Sequence, residues 1–341
     1  MKIRKIMALA LAFCVLAVVC GCAKETKEKK NEAKTSVEPY VIMVNALNGI
    51  PVYDQQAEAA KKAAADYGVK LEITGPAVGT TPAGVDAVIK DYKTAMKDAI
   101  SKKPDAIICE PFDPEIYECV TEAKQAGISV FCTSNGTENE DEFVACCGTD
   151  NVEYGRTAAK LIAEKTGGRA NVLAVVSSNT VPTQAEQIES FKHYCEEKYP
   201  EVKVVATAED GADASIAEEA IKAAFEEHPE IDTVMMLESV GGPVAVRVAK
   251  EMEMQINVLD VDTAAETVAN IVSGDEWATL AQNYYKRGYE SVRMAYEYIT
   301  EDGVKEFRTF EDSSTVLITS ENAADFEKIL WENVRTKGKP W

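Results

Sequence analysis

Glu110, Glu238 and Asp262 are the side chains of this 341-residue chain best placed to do chemistry, because each stands directly after a short aliphatic run. Ile107-Ile108-Cys109 leads into Glu110-Pro111, Val234-Met235-Met236-Leu237 into Glu238, and Val258-Leu259-Asp260-Val261 into Asp262. Two carboxyl groups can act as acid and base on a glycosidic bond, but their separation in space decides it, so Glu110 and Glu238 leave a glycosidase open. The same groups can instead accept hydrogen bonds from hydroxyls. Asp262 has a plainer use as well, near the start of a helix opening at Thr263-Ala264-Ala265-Glu266. Other catalytic chemistries lack their motifs: there is no GxSxG elbow, GxGxxG after the first strand, GxxxxGK[ST] or HExxH. His193 and His228 lie in Glu- and Lys-rich helical surroundings and read as solvent-facing. The expectation is a protein that is not an enzyme and needs no cofactor or metal.

A reactive residue of another kind stands near the N-terminus. Basic Met1-Lys2-Ile3-Arg4-Lys5 precedes an apolar run from Ile6 to Cys20, then Gly21-Cys22. This is an export signal, too short for a spanning helix. Cys22, behind small Gly21, resembles the cysteine that bacterial lipoproteins acylate; an ordinary cleaved signal is the plainer reading. Residues 1–22 are thus predicted to be a lipoprotein signal and 23–38 a disordered tether without large apolar side chains. The expected location is outside the cytoplasm, lipid-anchored to the cell membrane on its periplasmic side or outer face. The formal charge of −21 grows more negative when Lys2, Arg4 and Lys5 leave with the signal. No basic cluster is left for phosphates, so nucleic acid is excluded as a partner. Cys109, Cys119, Cys132, Cys146, Cys147 and Cys195 lack CxxC spacing and read mainly as small buried hydrophobes, with one or two disulfides left open.

These residues need a frame. From Tyr40 onward, aliphatic runs alternate with amphipathic stretches, each break carrying Gly, Pro, Asn or Asp. That is the grammar of βαβ units and parallel sheets. Strands are expected at 41–44, 71–73, 105–109, 128–132, 143–146, 172–176, 202–205, 233–237, 256–261 and 278–281. Helices are expected at 54–67, 85–102, 115–126, 151–165, 184–198, 213–227, 242–252, 264–273 and 285–300. The fold class is α/β, two doubly wound parallel-sheet lobes, as suits about 300 residues beyond the signal. Ligands bind such sheets beyond the carboxyl ends of the strands.

At those strand ends a family resemblance emerges. Val41 to Tyr67, with Asn45-Ala46-Leu47-Asn48 and then Pro51-Val52-Tyr53 opening a helix, resembles the first βα unit of ribose- and galactose-type periplasmic sugar-binding proteins. Lys103-Pro104-Asp105-Ala106-Ile107-Ile108 with Pro111, Gly148-Thr149-Asp150-Asn151, His228-Pro229-Glu230-Ile231-Asp232, Asp260-Val261-Asp262 and Ala281-Gln282 are similar to later stretches of that family, in the same order. The resemblance implies a type I periplasmic binding protein fold, a monomer whose lobes, joined by three crossovers, close on one small molecule and present it to ABC permease subunits. A sensory subunit reporting to a chemoreceptor or kinase, and a nucleoside binder of the same fold, are the alternatives. Sugar-responsive repressors share the fold, but their DNA-binding module would occupy the place of the export signal.

The resemblance implies lobes of 39–149 plus 283–311 and 150–282 plus 312–326, with 327–341 a C-terminal tail. It also implies a ligand set: Asp262 accepting hydroxyl bonds, Gln282 an amide at the hinge, Tyr53 a stacking ring, and contacts from Asn45 and Asn48. The chain departs from the family pattern at Glu110, Ser134, Asn135, Gln187 and Glu238, losing two arginines. An acidic, arginine-free cleft repels carboxylates and phosphates. The expected ligand is therefore a neutral or amino sugar.

Overall fold

The computed structural model describes residues 38–82, 84–133, 142–300 and 310–334. Strands β1 (Tyr40–Val44), β2 (Lys70–Thr74), β3 (Ala106–Cys109), β4 (Ser129–Cys132), β5 (Cys146–Gly148) and β11 (Phe310–Asp312) form one sheet, ordered β11-β5-β4-β3-β1-β2 and parallel throughout. A second sheet holds β6 (Arg169–Val176), β7 (Glu201–Glu209), β8 (Thr233–Met236), β9 (Asn257–Val261), β10 (Ala278–Gln282) and β12 (Thr315–Thr319), ordered β12-β10-β9-β8-β6-β7. Only β12 runs antiparallel there, against β10. The runs Tyr-Val-Ile-Met-Val, Ala-Ile-Ile-Cys and Thr-Val-Met-Met are buried almost throughout, as strands covered on both faces must be.

The first lobe carries helices α1 (Pro51–Tyr67), α2 (Val85–Ser101) and α3 (Ile116–Gln125); the second carries α4 (Asn151–Thr166), α5 (Pro182–Lys198), α6 (Ala214–Glu227), α7 (Gly241–Glu251) and α8 (Ala265–Ser273). Helix α9 (Tyr284–Thr300) returns to the first lobe and lies along α1, and α10 (Phe326–Glu332) closes the described chain. Local chemistry sets the ends. Pro51 opens α1, and Gly68, with φ 71°, ends it by returning its N–H to the Ala64 carbonyl. Asp150 and Asp213 cap α4 and α6 by accepting backbone N–H bonds from Glu153 and from Ser215 and Ile216.

Helices α1 and α9 touch at backbone distance. A Cβ on Gly288 would lie 2.1 Å from the Gln56 carbonyl oxygen, so only glycine admits this approach. Gly288→Ala is expected to push the helices apart and destabilise the protein by about 2 kcal/mol. A lowered urea midpoint at unchanged m-value checks it.

The chain passes between lobes after β5, after β10 and between β11 and β12. The last passage falls at Ser313–Ser314, so Asp312 stays with the first sheet. All three meet in one place. The Ser313 N–H donates to the Gly148 carbonyl at 2.6 Å, the Asn283 N–H to the Ser314 carbonyl at 3.1 Å, and the Asp150 N–H to the Asp312 carboxylate at 3.2 Å.

Two expectations need correction. The strand foreseen at 143–146 instead runs from Cys146 to Gly148, the stretch that pairs with β11. Residues 326–332, expected mostly as tail, form α10: Leu330 is fully buried and Trp331 packs on Tyr285 with ring centres 4.7 Å apart. The six cysteines from Cys109 to Cys195 are all buried in apolar surroundings.

Candidate ligand-binding site

Glu110 follows β3 into the space between the sheets, and its backbone is held there. Its N–H donates 2.7 Å to the Tyr92 hydroxyl, which itself donates to the Val44 carbonyl. Its carboxylate accepts a 2.8 Å bond from the Tyr53 hydroxyl and faces Arg287 Nη1 at 3.9 Å. Burial raises the Glu110 pKa, and Arg287 and the Tyr53 bond oppose that rise. The Arg287 guanidinium lies over the Tyr284 ring at 4.1 Å, and Tyr284 meets Tyr53 edge-on at 6.0 Å. Burial alone would lower the Arg287 pKa, but Tyr284, Glu110, Tyr53 and Asp262 more than offset it, so the side chain stays a cation.

On the opposing lobe, Asp262 follows β9 with φ 61°, a left-handed conformation that costs a non-glycine residue about 1 kcal/mol and tends to mark function. It does not cap α8, whose N-cap is Ala264 without a side-chain bond. Its carboxylate instead accepts from the Gln282 backbone N–H at 3.2 Å and from Gln282 Nε2 at 3.3 Å. Burial pushes the Asp262 pKa up to about 7, with Glu238 adding to the rise and Gln282 and Arg287 opposing it. Glu238, after β8, accepts from the Ser239 N–H and is raised by burial as well. Gln282 joins the halves: its Oε1 accepts from Arg287 Nη2 at 3.2 Å and from the Thr149 hydroxyl at 2.7 Å. A second bridge links the lobes where Gln55 of α1 donates to Thr263 Oγ1 at 3.1 Å, both residues being buried.

The structure thus brings Tyr53, Glu110, Gln282 and Asp262 together around Arg287, with Glu238 close enough to Asp262 to raise its pKa. Asn45 is fully buried and its amide is spent within the first lobe, donating to Asn48 Oδ1 and accepting from Gln56. Asn48 donates to the Pro76 carbonyl and so ties the loop after β1 to the loop after β2, while Asn45 holds the same loop to α1 through Gln56. Gln187 donates to Asn151 Oδ1 at the start of α4. Ser134 and Asn135 lie outside the described residues.

The cleft is not arginine-free, which corrects the expectation. Arg287 is 3% exposed and comes from the first turn of α9, past the end of β10 and not at a strand end itself. A signal for it existed: Arg287 lies in the first turn of the helix predicted at 285–300, only five residues after Gln282. Asp210 was also missed. It follows edge strand β7, is fully buried, and its pKa is pushed up to about 7 by burial, with Glu238 adding to it.

A family model described as a periplasmic binding protein domain matches residues 41–303. The chain belongs to that family of binding proteins, which act outside the cytoplasm and are not enzymes. Its fold is the type I form, as the solved structures it resembles show. A glucose-galactose binding protein from Geobacillus stearothermophilus shares 23% identity, covers 84% of this chain and 98% of its own, and superposes with a TM-score of 0.74. The sugar-binding protein of a sugar ABC transporter from Bacillus halodurans is 21% identical over 85% of this chain and 100% of its own, with a TM-score of 0.75. A solute binding protein from Agrobacterium vitis, bound with alpha-D-tagatopyranose, is 21% identical over 88% of this chain and 100% of its own, with a TM-score of 0.74. A search of curated proteins finds no match. Among the described residues no helix is long and apolar enough to cross a membrane.

Proposed function

We propose that this protein captures a neutral or amino sugar between its lobes outside the cytoplasm and delivers it to an ABC importer, held to the membrane by lipid on Cys22. One observation carries the reading: tyrosine rings, a carboxylate from each lobe, an amide and a guanidinium meet where the strand ends of both sheets converge. Carboxyl groups and an amide suit hydroxyl groups, and aromatic rings suit the C–H face of a sugar. Arg287 compensates Glu110, which leaves Asp262 and Glu238 in excess. That balance still disfavours carboxylate and phosphate ligands and favours an ammonium or a neutral polyol. The solved structures of similar fold include proteins described as binding sugars, which supports the same class.

The test is a thermal-shift screen of residues 37–341 against neutral sugars, amino sugars, uronic acids, nucleosides and amino acids. A sugar at a hundredfold excess over its dissociation constant is expected to stabilise the fold by about 2.7 kcal/mol. A shift with nucleosides alone would replace the ligand class. For the anchor, the full chain expressed in a bacterium is expected to incorporate labelled fatty acid and to stay with membranes, while Cys22→Ala incorporates none. An unlabelled wild-type protein would refute the lipidation.

A further inference from the structure

We infer that Arg287 is a positioning residue that couples the cleft to the hinge, holding all three interlobe crossovers in register with the carboxylates on either side. The guanidinium Nη2 donates to Gln282 Oε1 in the crossover after β10, at 3.2 Å, and to Thr149 Oγ1 in the crossover after β5, at 3.4 Å. The Thr149 hydroxyl lies 3.4 Å from Ser313 Oγ in the remaining crossover. The same cation faces Glu110 on the first lobe at 3.9 Å. Through Gln282, whose Nε2 donates to Asp262 at 3.3 Å, it reaches the second lobe. One rigid, planar group therefore touches the moving joints and the walls they move.

Twisting the crossovers shifts Thr149 and Gln282 relative to each other, and a fork bonded to both resists that shift. The cation is buried, so water does not replace a partner it loses, and the joint is stiff for this reason. The chemistry is that of a hinge clasp. Lysine at this position keeps a charge beside Glu110, but its single ammonium lacks the planar fork that spans Thr149 and Gln282.

Two measurements separate this inference from the sugar-binding reading, on which only the second rests. The first is small-angle X-ray scattering from sugar-free wild-type protein, Arg287→Lys and Arg287→Gln. Both variants are expected to show a larger radius of gyration, because the lobes swing over a wider range. R287K keeps a charge beside Glu110 but loses the fork, and is therefore expected to scatter like R287Q and not like the wild type. If R287Q fails to fold, R287K and Thr149→Val, which deletes a hydroxyl of the same network and leaves the charge pair, carry the measurement. Scattering of the folded variants indistinguishable from wild type overturns the inference.

The second measurement is stopped-flow binding of D-galactose, D-arabinose and D-tagatose. R287K is expected to lose about tenfold in affinity for every sugar the wild type binds, through faster dissociation. Loss for one sugar alone would make Arg287 a contact that selects ligands and overturn the positioning role. Binding of none of them by the wild type would count against the sugar reading, and the scattering alone would then decide the inference.

Discussion

Asp262→Ala is expected to lose about 2 kcal/mol or more of sugar binding, roughly a thirtyfold rise in Kd, while the protein still folds. The side chain is buried at the end of β9 and takes two bonds from Gln282. A sugar hydroxyl bonded to this carboxylate in a water-poor cleft has no replacement acceptor once the carboxylate is gone. Alanine also fits φ 61° worse than Asp does. Asp262→Asn is therefore the cleaner partner: it tolerates the backbone and keeps one acceptor oxygen, so its loss is expected to be smaller. Isothermal titration with the best sugar from the thermal screen decides the matter. An alanine variant that binds as tightly as the wild type sinks the assignment of Asp262 to the ligand.

The second large effect is on stability against pH. Asp262 and Asp210 have pKa values pushed up to about 7, chiefly by burial. Asp260, beside Glu276 and under α7, is raised by burial and by Glu276 itself. For an acid whose folded pKa exceeds its unfolded value of about 4, the stabilisation is full below pH 4 and disappears as pH rises through the folded value. The ligand-free protein is thus expected to lose on the order of a few kcal/mol between pH 5 and pH 8. The carboxylates shifted the other way, half-buried Glu72 and exposed Glu230 and Asp275, are already ionised at pH 5, so they do not offset the trend. Urea denaturation at the two pH values measures it. Asp210→Asn, which removes one titrating group beneath the cleft, is expected to flatten the slope. Equal stability at both pH values would mean that these carboxylates reach water in solution.

The burial behind those shifts is where sequence reasoning reached its limit. The helices expected at 54–67, 184–198 and 285–300 appear as Pro51–Tyr67, Pro182–Lys198 and Tyr284–Thr300. Their signals are local: apolar spacing, a proline at the start and a left-handed glycine at the end of α1. Strand ends are local too, and since doubly wound sheets put ligands there, Glu110, Glu238 and Asp262 could be singled out before any coordinates. What each does with its side chain was not legible. Asn45 and Asn48 stand at a strand end as well, yet their amides are consumed within one lobe, on each other, on Gln56 and on the Pro76 carbonyl. Short β11 and β12 escaped for a related reason: three and five residues beside long-range partners carry little pattern of their own.

By itself, the sequence determined the order of strands and helices, the two-lobed class and the acidic residues at the strand ends. All of these follow from periodicity and turn chemistry within a few neighbouring residues. The tertiary structure alone decided that Arg287 neutralises Glu110, that Gln282 rather than a helix end holds Asp262, and that the three crossovers share one network. Such pairings depend on chain crossings that bring residues 110, 149, 262, 282 and 313 to a single point. Burial there makes each missing partner costly, so the pairing of charges is a property of the assembled lobes and not of any segment.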